Sequence, residues 1–141
     1  MEQTGDKGTK SKFIFNPTNK VIGIIDDAGD TKAALQDLSA AGFTAGEVEL
    51  LTDEEGAQRI DLTGERRGVL VHIISSQHPQ HFYDAPGLVG QIEQELKAGH
   101  FGIGVGAKET EARERVREIL KSHNGHFINF YGRWAAEALE P

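Results

Sequence analysis

The sequence contains no cysteine among its 141 residues. That absence excludes a disulfide framework, a thiolate-bound metal site and a cysteine nucleophile. The chain also has no long apolar run of the kind that forms a signal peptide or a membrane span. We therefore expect a cytoplasmic protein that has no membrane partner.

The chain also has fewer basic than acidic residues. The 15 lysines and arginines face 22 aspartates and glutamates, which gives a formal net charge of −7. A protein that binds nucleic acid by neutralising phosphates needs a clustered basic face, so we expect no nucleic-acid partner. A chain of this length is sufficient for one domain with its own core and leaves no room for a second.

Recognised catalytic motifs are missing too. The sequence has no Ser-His-Asp arrangement, no paired catalytic carboxylates and no phosphate-binding loop of the G-x-x-x-x-G-K-[ST] type. Residues 102–107 fit the dinucleotide spacing G-x-G-x-x-A, but their glycines alternate with apolar residues inside a predicted strand, whereas that site needs them in a turn. We therefore expect no cofactor, and an enzyme that uses histidines and Glu65 as acid and base is the least favoured alternative.

The chain does contain an internal repeat. A short apolar strand followed by a helix with an apolar stripe occurs twice, in residues 22–38 and 103–119. The pattern predicts two β-α-β halves that form a four-stranded antiparallel sheet with both helices on one face. This is a ferredoxin-like α+β sandwich; a doubly wound sheet is the alternative.

The remaining segments set the predicted boundaries. Residues 1–18 are predicted to form a flexible tail, residues 19–134 a single domain, and residues 135–141 a C-terminal tail. Within the domain, residues of about 53–98 are predicted to be a helical insertion, in which Val69, Leu70, Ile73 and Ile74 follow helical spacing.

One charged, glycine-containing stretch of the insertion is a candidate ligand site. Arginine side chains and a backbone exposed by glycine could together bind a small anion or a nucleotide. The alternative is a helix cap with local ion pairs. The candidate residues are Arg59, Asp61, Thr63, Gly64, Glu65, Arg66 and Arg67.

A second candidate surface is the aromatic and basic cluster near the C-terminus. Tyr131, Arg133 and Trp134 are predicted to leave the last strand, and arginine and tryptophan are favoured interface anchors. They predict a homo-oligomer or an unidentified protein partner.

Six histidines raise the question of a metal or haem site. His78 and His81 are three residues apart, as are His123 and His126, but neither pair has an acidic neighbour at a recognised metal-ligand spacing. We therefore expect structural or solvent-exposed histidines and no metal ligand.

Five stretches suggest a family: residues 21–27 (VIGIIDD), 40–43 (AAGF), 50–52 (LLT), 55–66 (EGAQRIDLTGER) and 123–134 (HNGHFINFYGRW). Together they resemble the bacterial heat-induced, or general stress, protein family of the YflT type. The resemblance implies a small cytoplasmic bacterial protein linked to stress, without catalytic residues. The leading hypothesis is a non-enzymatic protein that acts by self-association or partner binding; the alternative is a module that senses a small anion or nucleotide.

Overall fold

The computed structural model describes residues 18–60, 69–74, 88–132 and 136–140. This part of the chain is an α+β structure with one six-stranded sheet and four α-helices, which confirms the predicted class. The strands are β1 (Lys20–Ile25), β2 (Val48–Asp53), β3 (Leu70–Ile74), β4 (Phe101–Gly106), β5 (His126–Tyr131) and β6 (Ala136–Glu140). The helices are α1 (Ala28–Ala40), α2 (Glu54–Arg59), α3 (Leu88–Lys97) and α4 (Thr110–Ser122), and a 3-10 turn spans Ala45–Glu47.

The sheet is mixed and has the strand order β3-β2-β4-β1-β5-β6. Strand β1 pairs antiparallel with β4 on one side and with β5 on the other. Strand β2 is antiparallel to β4 but parallel to β3. The predicted sheet had four strands, all antiparallel. The observed sheet has six, and one of its pairs, β2 with β3, is parallel.

Helices cover both faces of the sheet. On one face, Leu35 and Leu38 of α1 and Val116 and Leu120 of α4 pack in the main core, which confirms that these two helices share a face. On the other face, Ile92 and other apolar side chains of α3 pack in a second cluster. That second cluster contains Ile22, Ile24, Leu51, Ile92, Leu96 and Tyr131.

Two predictions on local structure were wrong. Residues 70–74, predicted to be helical, form the parallel strand β3, because a run of five residues with two adjacent isoleucines suits a strand that can pair with β2. The predicted helical insertion therefore contains a strand. Residues 136–140, expected in a tail, form β6 because the open edge of β5 offers unpaired backbone groups.

Helices α1, α3 and α4 end in the same way. A residue with positive φ follows each of α1, α3 and α4: Gly42 (φ 101°), Gly99 (φ 94°) and Asn124 (φ 66°). The amide of the next residue then donates to a carbonyl of the last helical turn, as in Phe43 N to Leu38 O at 3.1 Å. Glycine or asparagine directly after an apolar helical stripe predicts a helix end at Gly42, at Gly99 and at Asn124 with Gly125, and the structure confirms all three.

The predicted tail of residues 1–18 lies outside the described residues except for Thr18, which is in a turn. Within the described ranges, no helix combines the length and the apolar character needed to cross a bilayer.

The pairing of β1 with β5 is irregular, whereas its pairing with β4 is regular. Ile22 is opposite Asn129, but Ile24 is opposite His126, so the single residue Gly23 faces the two residues Phe127 and Ile128. This is a β-bulge. A Cβ on Gly23 would lie 2.8 Å from Leu120 Cδ1 and 3.0 Å from Ile128 Cγ1, so the bulge and α4 occupy the space that glycine leaves.

We expect Gly23→Ala to destabilise the protein by about 1–3 kcal/mol, because the added methyl overpacks a core of fixed side chains. Gly106→Ala is the control, since a Cβ there meets no heavy atom within 4 Å, and it is expected to cost less than about 1 kcal/mol. Urea unfolding of both variants measures the difference. Equal stabilities would show that Gly23 is not needed for close packing.

Candidate metal centre

The structure leaves most of the residues predicted for the charged ligand site undescribed. Asp61, Thr63, Gly64, Glu65, Arg66 and Arg67 lie outside the described ranges, and Arg59 is the last residue of α2. The ligand site of residues 59–67 therefore stays a prediction.

Of the three predicted interaction residues, the structure describes only Tyr131. Arg133 and Trp134 lie outside the described residues. Tyr131 does not leave the sheet: it is in β5, is 5% exposed and packs in the cluster beneath α3. Burial raises the pKa of Tyr131 to about 12.

Two histidines and two carboxylates that are distant in the sequence meet at one end of the sheet. His126 Nε2 lies 2.9 Å from Asp26 Oδ1. His100 Nδ1 lies 2.6 Å from Glu95 Oε1 and 3.4 Å from Asp26 Oδ1. One ligand atom from each of Asp26, Glu95 and His126 can be chosen so that all three lie within 4.8 Å of one another. We call these four residues the His-carboxylate cluster.

Asp26 is placed by the end of β1 and the start of α1. Ile25 pairs with Phe101, and continuing that register by one residue puts Asp26 opposite His100. The next residue, Asp27, is the N-cap of α1, and its carboxylate accepts a hydrogen bond of 2.9 Å from the amide of Asp30. The sequence predicts the cap at Asp30 or Thr31; the actual cap at Asp27 leaves Asp26 as the one linking residue between strand and cap.

Glu95 and His100 are placed by the end of α3. Gly99 adopts positive φ, and the backbone amide of His100 donates to the carbonyl of Glu95 at 3.1 Å. This turn folds His100 back over the last turn of the helix. The side chains of His100 and Glu95 consequently meet, and they do so at the point where β4 begins.

His126 is placed by the end of α4 and by the bulge. The amide of Gly125 donates to Leu120 O at 2.7 Å, and a Cβ on Gly125 would lie only 2.5 Å from that oxygen. The chain then enters β5 at His126. Because of the bulge, His126 is opposite Ile24, whose side chain is in the cluster beneath α3, while Phe127 packs on the same cluster.

Phe127 has φ of +50°, which is unusual for a large side chain. Such left-handed conformations cost about 1–3 kcal/mol and persist where the surroundings impose them. Here the bulge and the packing of the ring both fix residue 127, and with it the backbone that carries His126.

The chemistry of the cluster is that of a cation site. Two carboxylates supply a charge of −2, and imidazole nitrogen with carboxylate oxygen is a donor set used by transition metals. The cluster is also open to solvent, since the side chains of Asp26 and His126 are 57% and 41% exposed. An ion bound by these side chains would be in contact with solvent.

Sequence spacing could not reveal this cluster, because Asp26 and His126 are 100 positions apart. The sequence shows no acidic neighbour at a recognised metal-ligand spacing, but the fold brings carboxylates from distant positions to four histidines. His72, His100, His123 and His126 each lie within 3.4 Å of a carboxylate. The sequence contains one local signal. A glycine helix end at Gly99 brings the residue after it, His100, back to Glu95 in the last turn of the helix.

His123 forms a separate couple. Its Nε2 lies 2.6 Å from Asp37 Oδ2, and this contact ties the end of α4 to α1. The neighbouring Asn124 donates a hydrogen bond of 3.0 Å to Asp30 Oδ2. With one carboxylate for one histidine, this couple is a tertiary tie between helices.

A second polar group lies nearer the other end of the sheet. Glu49, 8% exposed, has its carboxylate 2.9 Å from Lys20 Nζ and 3.3 Å from His72 Nε2. Lys20 in β1 and Glu49 in β2 are separated by β4, but their partners in β4 are Gly106 and Gly104, which carry no side chains. The ion pair therefore crosses a strand.

Electrostatics favour the charged form of Glu49. Burial acts to raise the pKa of Glu49, but hydrogen bonds from His72 and Lys20 and their positive charges outweigh burial, so this pKa is below its ordinary value of 4.5. The carboxylate consequently stays ionised at neutral pH.

Comparison with protein families, with curated proteins and with solved structures found no match to the chain. The resemblance to the general stress protein family therefore stays a prediction from the sequence.

Glu49 should make folding stability depend on pH in the acid range. Because its pKa is lower in the folded state, the stabilisation is present above the unfolded pKa and is lost as pH falls through the folded one. We expect Glu49→Gln to be destabilising at pH 6 and to approach wild type at pH 3. Urea unfolding at the two pH values measures this, and a pH-independent difference would contradict it.

The positive φ of residue 127 should reverse the usual order of stability of alanine and glycine variants in a strand. In a regular strand Gly is less stable than Ala by about 0.5–1 kcal/mol. Because left-handed backbone favours glycine, we expect Phe127→Gly to be at least as stable as Phe127→Ala in urea unfolding. Phe130, in the same strand, is the control, and Phe130→Gly should be the less stable of its pair. The ordinary order at both positions would show that residue 127 does not need this conformation.

Proposed function

We propose that this protein binds one divalent transition-metal ion through Asp26, Glu95 and His126. The observation that carries the proposal is the convergence, within 4.8 Å, of ligand atoms from three separate parts of the fold. His100 lies against both carboxylates and supports them.

The spacing of the ligand atoms suits such an ion. Ligands bound at about 2.0–2.2 Å lie about 2.8–3.6 Å from one another in octahedral or tetrahedral arrangements. His126 Nε2 and Asp26 Oδ1 are already 2.9 Å apart. Glu95 can approach by rotation of its side chain, which is 34% exposed.

The donor set limits the class of ion. A site of one imidazole and two carboxylates favours zinc, manganese, iron(II), cobalt or nickel, whereas copper(I) prefers sulfur ligands and magnesium and calcium prefer oxygen alone. The two carboxylates balance the charge of a divalent ion. The excess of acidic residues over the whole chain also attracts cations.

Binding would exchange a proton for a metal ion. Because a carboxylate accepts, the short contact of His126 with Asp26 is made by an Nε2–H that donates to Oδ1. An imidazole that binds a metal through Nε2 must give up the proton on that nitrogen, either to solvent or to its own Nδ1. Because protons compete with the metal ion for the imidazole and the two carboxylates, affinity should fall as the solution becomes more acidic.

The fold that carries this site is proposed to be ferredoxin-like at its centre. The inner strands have the order β2-β4-β1-β5 and are antiparallel throughout, and α1 and α4 share one face. Strands β3 and β6 then extend the sheet at its two edges. The stress-associated role, self-association and the cytoplasmic location stay predictions, and metal binding is compatible with each.

Zinc titration by calorimetry, after treatment with a chelator, tests the proposed function. We expect one ion per chain, and His126→Gln should lower the affinity by at least about 100-fold, because it removes a ligand and not only a supporting hydrogen bond. Zinc should also raise the melting temperature of the wild type, since it binds the folded state.

His123→Gln is the matched control, because His123 follows the same helix but pairs with Asp37 outside the cluster. It should bind zinc as the wild type does. Equal loss in both variants, or no zinc binding by the wild type, would mean that the cluster is only a network of ion pairs.

A further inference from the structure

We propose that the metal ion held by Asp26, Glu95 and His126 keeps coordination positions open toward solvent and binds there a small, neutral oxygen or nitrogen donor. This inference rests on the proposed metal site. It goes further because it assigns the site to the open type, in which an external molecule binds the ion directly, and not to the closed structural type.

The first argument is the position of His100. Its Nδ1 lies 2.6 Å from Glu95 Oε1 and 3.4 Å from Asp26 Oδ1. His100 is not in the group whose ligand atoms all lie within 4.8 Å of one another, which consists of Asp26, Glu95 and His126, and its Nδ1–H donates to the carboxylate of Glu95. His100 is therefore a positioning residue that orients two ligands, which is a common arrangement around protein-bound metals. Three protein ligands remain.

The second argument is the one-sided approach of those ligands. Asp26 follows β1, His126 begins β5, and Glu95 reaches them from α3, which packs on the sheet. The outward side is open, because the Asp26 and His126 side chains are 57% and 41% exposed. An ion that binds three ligands on its protein side retains water on its outer side, and such water can be exchanged.

Charge selects the external ligand. Two carboxylates already neutralise a divalent ion, and Asp27 and Asp30 add negative charge in the adjoining N-cap and first turn of α1. A phosphate or carboxylate approaching the ion meets this charge. A neutral donor such as an imidazole, an amide carbonyl or an alcohol does not, and a carbonyl bound there would be polarised by the ion.

Cobalt(II) and imidazole provide the test, because the visible absorption of protein-bound cobalt(II) responds to every change of its ligands. Wild type is loaded with one equivalent of Co²⁺ and then titrated with free imidazole. We expect a saturable spectral change while the cobalt remains with the protein in gel filtration. Inorganic phosphate at the same concentrations should change the spectrum less.

Two variants separate the roles of the histidines. His100→Gln should still bind cobalt one to one, with an affinity lowered about 10–100-fold, and its spectrum should keep the wild-type shape and the response to imidazole. A shape that shows the loss of a nitrogen ligand would make His100 a ligand and overturn the inference. His126→Gln should lose the cobalt spectrum.

The two proposals fail in different ways. If cobalt binds but its spectrum does not respond to imidazole, the site is closed and only this inference is wrong. A stronger response to phosphate than to imidazole would overturn the choice of a neutral ligand. If the wild type shows no cobalt spectrum, the metal site itself is wrong.

Discussion

The pairing of β1 on both of its edges is the constraint on which the rest of the structure depends. Its antiparallel registers with β4 and β5 bring the end of one strand and the beginnings of two others to the same place. Asp26, His100 and His126 occupy those three positions. Helix α3 completes the arrangement, because it packs beside this end of the sheet and finishes on Glu95 and the glycine turn that leads to β4.

The same strand separates two regions of different chemistry. At its end lies the exposed His-carboxylate cluster. At its start Lys20 reaches across the glycines of β4 to the nearly buried carboxylate of Glu49, which is also paired with His72. The Glu49 group is largely shielded from solvent, whereas exposed ion pairs such as those of the His-carboxylate cluster contribute little to stability.

Much of the fold could be predicted from the sequence, because its signals are local. Glycine at Gly42 and Gly99 and asparagine at Asn124 end helices by taking positive φ, and apolar runs mark β1, β2, β4 and β5. Strand β3 could not be recognised, since a run of five residues of which four are apolar fits either period until a partner strand is known. Strand β6 likewise depends on the open edge of β5.

The candidate site could not be predicted, because its parts are joined only by strand register. A bulge opposite Gly23 decides which residue of β5 faces Ile24, and no sequence rule fixes that shift. Crystals grown with zinc and measured at its absorption edge test the account most directly. We expect one anomalous peak within about 2.2 Å of ligand atoms of Asp26, Glu95 and His126. A peak bound elsewhere, or an empty cluster in zinc-containing crystals, would contradict it.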